Sequence, residues 1–235
     1  MIVSMRTYIN RIGLRDYIIY ILALLPMAML CYKQQLTLGP ISSYPLFLIL
    51  LLMPVASNIE IPITKIRTRK NQHMHRDALL LEETYGVPVI KELATGTNLI
   101  YDTKITLNVG GFIIPMLTIL YLLFSKMDFV ALEIMLIVLV VVALLADFVD
   151  GVGIVIPSYV GIFTIPLALI LAPQNAATII FIAGTGGIIA GSVASLMALK
   201  REEKGSAYID IGGAACFQAI YVTTLLAALI SGFIP

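Results

Sequence analysis

Long apolar runs separated by short polar segments dominate the chain. Each run approaches the ~20 residues that a helix needs to cross a hydrocarbon core about 30 Å thick. The pattern therefore predicts an all-α, polytopic helical membrane protein, with about seven transmembrane helices in a single integral membrane domain over residues 1–235. The expected spans are 17–34, 43–61, 106–125, 129–148, 154–173, 175–199 and 209–233.

The basic residues divide unevenly among the segments that join these spans. With the N-terminus in the cytoplasm, 13 of the 15 Lys and Arg residues fall in cytoplasmic segments, and only Lys33 and Lys126 fall outside. Cytoplasmic loops carry the excess of Lys and Arg in membrane proteins. The distribution therefore predicts a multi-pass protein of the cell membrane, with the N-terminus cytoplasmic, the C-terminus outside and the lipid bilayer as its partner.

The amino-acid composition agrees with a membrane protein and limits the partners and cofactors that are expected. The chain is 60% hydrophobic and only 12% charged, against about 25% charged residues in soluble domains. A net charge of +1 implies no nucleic-acid partner. Cys31 and Cys216 both lie in apolar spans, and His73 and His75 lack further ligands nearby, so neither a metal nor a cofactor is expected.

One sizeable polar segment, 64–105, is expected to form a cytoplasmic loop insertion between spans 2 and 3. It opens with a basic run over 65–70 and continues through strand-like pieces around 85–93 and 98–105. The segment therefore predicts a small β-containing hairpin on the membrane surface. The basic run is interpreted as an orientation signal that also attracts anionic headgroups, with a regulatory or ligand site as the alternative.

Acidic residues inside or beside apolar spans are candidates for function, because an ionisable group in lipid is costly. Asp147 and Asp150 are expected on one helical face at the cytoplasmic end of span 4, since they are three residues apart. Asp210 is expected to open span 7, where a carboxylate favours the helix dipole. These three are the catalytic candidates. Solvation at a helix end is the alternative for each of them, as it is for Glu60 and Glu133.

Two spans open with the same pattern, a short polar residue, one β-branched residue and two glycines: Asn108 to Gly111 and Asp210 to Gly213. Glycines at a helix start allow a ligand or another backbone to approach closely, so either binding or close helix packing is predicted. The candidate ligand-binding residues are Asn108, Gly110, Gly111, Asp150, Gly151, Gly153, Asp210, Gly212, Gly213 and Gln218.

Span 6 is rich in glycine and contains Gly187-x-x-x-Gly191 within an apolar run. This spacing lets two helices pack closely in a membrane. It predicts tight packing of span 6 against a neighbouring span, or a homo-oligomer formed through that face.

Several of these stretches, taken in order, resemble one uncharacterised family of prokaryotic, largely archaeal, membrane proteins, the domain-of-unknown-function family number 1614. They are residues 58–63, 108–115, 151–154, 184–185 and 211–214. The resemblance implies no established activity. Relatives typically carry an aspartate in span 6 and another in span 7, where this chain has Ser192 and the run from Cys216 to Ala219. They also more often have proline where Asp150 stands.

Three functions are compatible with these features. Spans broken by proline or glycine are how many transporters build a site. The first hypothesis is therefore a small-solute or ion transporter or channel-like protein, with a polar site at the cytoplasmic ends of spans 3, 4 and 7. The second is a non-catalytic membrane scaffold or assembly subunit. The third is an intramembrane aspartyl protease-like enzyme in which Asp147 or Asp150 shares a proton with Asp210, although span 7 lacks the expected Gly-x-Gly-Asp. Prolines lie within the spans at Pro26, Pro54, Pro115, Pro157 and Pro166.

Overall fold

A computed structural model of the protein describes residues 13–69, 75–90, 100–200, 202 and 204–233. Several residues that enter the predictions above lie outside these ranges: Arg6, Arg11, Lys70, His73, Lys91 and Arg201.

The described chain is mostly helical. A π-helical turn, Val109–Ile113, leads into helix α4 (Ile114–Ser125), and a 3-10 turn, Val160–Phe163, leads into helix α6 (Thr164–Leu171). Helix α7 (Pro173–Met197) contains a further π-helical turn at Ile180–Thr185. The helices are α1 (Leu14–Tyr32), α2 (Ser43–Ala56), α3 (His75–Tyr85), α4 (Ile114–Ser125), α5 (Phe129–Leu145), α6 (Thr164–Leu171), α7 (Pro173–Met197) and α8 (Ala214–Ser231).

Two small sheets accompany the helices. Strands β1 (Glu60–Arg69), β2 (Ile100–Asn108) and β5 (Tyr208–Ile211) form the larger sheet in the order β1-β2-β5. Strand β2 pairs with β1 in antiparallel and with β5 in parallel orientation. Strands β3 (Asp147–Val149) and β4 (Gly153–Val155) form an antiparallel hairpin. The expected content, mostly helix with a small β segment, is confirmed, but the strands extend well beyond 64–105.

The chain alternates between two ends of the helix bundle. All strands lie at one end, here called the sheet end, because they follow α2 and α5 and precede α4 and α8. The remaining connections meet at the opposite end. There the amide of Thr37 donates to Ser231 Oγ at 3.2 Å, and Asn175 Nδ2 donates to Asp128 Oδ2 at 3.5 Å. The described connections therefore fall into two groups, one at each end of the bundle.

Of the seven apolar helices that the structure describes, five are shorter than the predicted spans: α2, α4, α5, α6 and α8. Of the described helices only α7 is long and apolar enough to cross a membrane by itself, and 72% of its most apolar window is buried inside the protein. The other apolar helices range from 8 residues in α6 to 19 residues in α1. Span 5, expected over 154–173, differs most: it begins as β4, turns at 160–163 and is an α-helix only over Thr164–Leu171. The β-branched run Ile154 to Ile156 favours a strand, and Pro157 supplies no amide hydrogen to continue a helix.

Two further corrections concern the polar segment between α2 and α4. Strand β1 replaces both the expected end of span 2 and the basic loop, because alternating β-branched residues from Ile61 to Thr68 suit a pleated strand. Helix α3 ends at Tyr85, so the strand expected around 85–93 does not begin there. Strand β2 is where the second strand-like piece was expected.

The glycines of α7 pack against α5 within the same chain. A Cβ atom added at Gly187 would lie 2.6 Å from the Val138 side chain, and one at Gly191 would lie 2.5 Å from Val142. The small residues thus let α5 and α7 approach closely, as the Gly-x-x-x-Gly spacing predicts. This face is occupied within the chain, and a homo-oligomer stays a prediction.

Candidate functional site

One face of the larger sheet carries a row of polar side chains. Lys104 lies opposite Tyr208, and Thr106 lies opposite Asp210, across the parallel pair. Asn108 lies opposite Glu60 across the antiparallel pair. Because side chains alternate along a strand, all six point to one side, here called the polar sheet face. The other side carries apolar residues such as Ile105 and Ile209, which join the hydrophobic core.

Asn108 makes three side-chain hydrogen bonds at the end of the polar sheet face. Its side chain is fully buried. Its Nδ2 donates to the carbonyl of Ser57 at 2.6 Å and to Glu60 Oε1 at 2.6 Å. Its Oδ1 accepts from the amide of Gly111 at 2.8 Å and so caps the turn before α4. One amide therefore ties together the end of α2, the start of β1 and the start of α4.

The two Gly-Gly pairs predicted from the sequence meet at this junction. A Cβ atom at Gly111 would lie 1.8 Å from the Gly212 carbonyl oxygen, which is closer than any real contact. Gly212 itself has φ +82°, a conformation that favours glycine. A Cβ atom at Gly110 would lie 2.1 Å from the carbonyl oxygen of Met53 in α2. Backbone, rather than a ligand, therefore fills the space beside these glycines.

The sequence predicted Asp210 in the first turn of a helix. In the structure Asp210 lies in strand β5 instead. Helix α8 begins later, at Ala214, after Gly212 has turned the chain. The Asp210 side chain is buried, with 6% of the residue exposed. Thr106 Oγ1 donates to its Oδ1 at 3.3 Å. The carboxylate is therefore held at the inner end of the sheet, next to the bundle.

Asp147 and Asp150 do not share a helical face, because α5 ends at Leu145 and both belong to the β3–β4 hairpin. Asp147 is exposed, and its Oδ1 accepts from Lys204 Nζ at 3.0 Å. That hydrogen bond is the main cause of a lowered pKa of the Asp147 carboxyl. Asp150 Oδ1 accepts instead from the amide of Gly205 at 2.8 Å. These two acids fasten the hairpin to the loop before β5.

Asp150 and Asp210 bind different partners along the segment that joins α7 to α8. Thr103, in β2, donates to the Ser206 carbonyl at 2.7 Å, so Gly205, which binds Asp150, lies near the outer end of β2. Asp210 lies opposite Thr106 at the inner end. Gly205 comes before strand β5, which begins at Tyr208. A carboxylate pair that shares a proton requires near contact, whereas Asp150 accepts from Gly205 and Asp210 accepts from Thr106.

Residues 54–230 match the sequence model of the family DUF1614, described as a protein of unknown function. The chain belongs to this family. The match covers the polar sheet face and both Gly-Gly pairs, and so confirms the family resemblance seen in the sequence. No curated protein and no solved structure matches the chain.

The remaining candidates of the DUF1614 protein lie in different surroundings. Gly151 and Gly153 have φ of +80° and +116° and shape the β3–β4 turn, where the Gly151 amide donates to the Gly205 carbonyl at 3.1 Å. The carbonyl of Gly213 accepts from the amide of Cys216 in the first turn of α8. Gln218 is exposed on α8. Asn108 and Asp210 are thus the polar candidates that the fold brings to one face.

Three members of this face were not predicted from the sequence: Lys104, Thr106 and Tyr208. Lys104 Nζ donates to the Tyr208 hydroxyl at 3.4 Å and lies 5.4 Å from the centre of its ring. The sequence pattern that could have identified them is the alternation of polar residues along one strand, at Lys104, Thr106 and Asn108. Among the described residues, no group of three or more His, Cys, Asp and Glu side chains is arranged to hold a metal ion.

Proposed function

We propose that this DUF1614 protein is a multi-pass membrane protein of the transporter or channel type, which handles a proton at the polar sheet face. The observation that carries the proposal is the position of Asp210 and Glu60 on one face of the sheet, where two glycine-opened helices begin. Acidic side chains inside membrane proteins commonly form proton relays in pumps and transporters.

The outer surface of the helices supports membrane embedding. Large apolar side chains are exposed along α1, α2, α4, α5 and α6, which is uncommon over so wide an area in a soluble monomer. Leu25 of α1 is 62% exposed and Ile170 of α6 is 76% exposed, while the core lies inward on the same helices. A surrounding hydrocarbon phase would cover this belt.

Charge supports the proposed orientation. The sheet end of the described chain carries Lys and Arg on β1, on β2 and in the loop before β5. The opposite end carries Lys33 and Lys126. By the positive-inside rule, the sheet end faces the cytoplasm and the C-terminus of α8 lies outside.

Reporter fusions test this topology. Alkaline phosphatase is active only outside the cytoplasm, and green fluorescent protein folds only inside it when exported by the general secretory route. We expect phosphatase fused after residue 233 to be active, and green fluorescent protein inserted between residues 199 and 200 to fluoresce. The protein should also stay in the membrane pellet after alkaline carbonate extraction. Activity of a phosphatase inserted between residues 199 and 200 would contradict the proposal. Release of the protein into the supernatant during carbonate extraction would also contradict it.

Proton movement tests the role of the polar sheet face. We expect proteoliposomes loaded with a pH-sensitive dye to lose an imposed pH gradient faster than protein-free vesicles, with the membrane potential clamped by potassium and valinomycin. Asp210→Asn keeps the oxygen that accepts from Thr106 but cannot carry a proton. We therefore expect this variant to lower the rate at least ~10-fold, as loss of a proton-transfer group typically does.

Glu133→Gln is the matched control for this experiment, because Glu133 is an exposed acid on α5, far along the chain from the sheet. Its rate should equal that of the parent. A parent protein no faster than empty vesicles, or an Asp210→Asn variant as fast as the parent, would contradict the proton-handling proposal.

A non-catalytic scaffold is the second candidate, and one observation favours it. The glycines expected to admit a ligand instead admit neighbouring backbone at Gly110, Gly111 and Gly212. Absence of proton movement in the parent protein would favour this function. The intramembrane protease has less support, because Asp150 and Asp210 accept hydrogen bonds from different partners, Gly205 and Thr106.

A further inference from the structure

A cleft of about 350 Å³ opens at the sheet end, between the C-terminal ends of α5 and α7 and the β3–β4 hairpin. Its walls are of two kinds. Ala143, Phe148 and Leu199 supply an apolar side, while Lys200 and Lys204 supply positive charge. The cleft lies outside the polar sheet face and contains none of the residues proposed to handle protons.

The charge of the cleft favours an anion. Lys200 and Lys204 place two cationic side chains on its wall, beside the carboxylate of Asp147. Lys204 Nζ is 3.0 Å from Asp147 Oδ1 and 3.1 Å from the carbonyl oxygen of Phe148. The ion pair is exposed, with 43% of the Lys204 side chain and 74% of the Asp147 side chain accessible. Exposed ion pairs are weak, so an entering anion can compete for the lysine.

The apolar side of the cleft continues onto the lipid-facing surface of the helices. Leu144, next to the cleft on α5, is 80% exposed, and Met197 at the end of α7 is 81% exposed. A ligand that fits both walls has an anionic head and a hydrocarbon tail. In the proposed membrane orientation, the cleft lies where the cytoplasmic headgroups meet the acyl chains.

We propose that this cleft binds an anionic phospholipid of the cytoplasmic leaflet. The phosphate takes the place of Asp147 beside Lys204 and lies within reach of Lys200, since lysine binds phosphate as a point charge. The acyl chain follows Ala143 and Leu144 along α5. This inference depends on the proposed membrane embedding, but it does not depend on proton movement.

Native mass spectrometry of the full chain in detergent tests the site, with phosphatidylglycerol and phosphatidylcholine as the lipids. We expect phosphatidylglycerol to remain bound through delipidation and phosphatidylcholine to be lost. The double variant Lys200→Gln/Lys204→Gln should lower the bound fraction of phosphatidylglycerol at least ~5-fold, because each basic residue near an anionic surface adds to its attraction. Lys126→Gln, an exposed lysine at the opposite end of the bundle, is the control and should retain the parent value.

Two more variants separate a lipid site from general attraction of anions. Asp147→Asn removes the competing carboxylate and should raise the phosphatidylglycerol affinity. Ala198→Trp fills the cleft but leaves both lysines in place, so it should weaken binding of the lipid. Equal retention of the two lipids, unchanged binding in the double lysine variant, or stabilisation of the protein by inorganic phosphate as large as that by phosphatidylglycerol would each overturn the proposal. Because these measurements report lipid binding and not proton movement, their failure is distinct from failure of the proton assay.

Discussion

Replacing Gly111 by alanine is expected to prevent the protein from accumulating in a folded form. The new methyl group would lie 1.8 Å from the Gly212 carbonyl oxygen and 2.8 Å from its carbon. Both atoms belong to the backbone, so no rotamer change relieves the clash. Overpacking typically costs 1–3 kcal/mol and more where the backbone must move. We expect a loss above ~3 kcal/mol, which corresponds to a decrease of about 6 °C or more in melting temperature for a chain of this size.

Size-exclusion chromatography with fluorescence detection, followed by a thermal-shift assay in detergent, measures this loss. Gly13→Ala is the matched control, because the nearest atom to its Cβ would be Asp16 Oδ2 at an ordinary 3.5 Å. That variant should elute and unfold as the parent does. A monodisperse Gly111→Ala protein with the parent melting temperature would show that α4 and α8 do not approach as closely as Gly111 and Gly212 indicate.

The positions of most apolar helices could be predicted because they depend on a local property. The length of a hydrophobic run identifies such a segment. Helix ends depend on long-range pairing and were predicted less well. Strand β1 pairs with β2 about 40 residues later, and β2 pairs with β5 another 100 residues on, as Thr106 and Asp210 illustrate. No short window of sequence contains that pairing.

The candidate site was predicted in part, for the same reason. The shared pattern of Asn108-Val109-Gly110-Gly111 and Asp210-Ile211-Gly212-Gly213 indicated two equivalent helix entries, and the fold places them side by side. Whether their glycines bind a ligand or allow close packing depends on backbone contacts between distant segments. A sequence does not show these contacts. Asp147 and Asp150 were misplaced because helical spacing was extended past Leu145. Gly151 and Gly153, whose φ angles are positive, were the local sign of a turn.

Asn108 should be the polar residue on which the fold depends most. Asn108→Leu removes two donated hydrogen bonds and the cap on Gly111, and it leaves the carbonyl of Ser57 and the carboxylate of Glu60 without this donor. A lost bond to a buried charged group costs about 1.5–3 kcal/mol. We expect the free energy of unfolding to fall by ~3 kcal/mol or more, measured by denaturant titration in detergent. Retention of parent stability would contradict the role of Asn108 as the tie between α2, β1 and α4.

A double-mutant cycle separates the Asn108–Glu60 bond from the packing of the side chain. Asn108→Asp keeps the size and the oxygen that caps Gly111, but it brings a carboxylate against Glu60 Oε1, where the amide now lies at 2.6 Å. Glu60→Gln alone keeps an acceptor oxygen and should change stability little. Together, the two changes restore a donor facing an acceptor, with their directions reversed. The double variant should therefore be at least ~1 kcal/mol more stable than the sum of the two single changes predicts. Additive losses would mean that Asn108 acts through Ser57 and Gly111 alone.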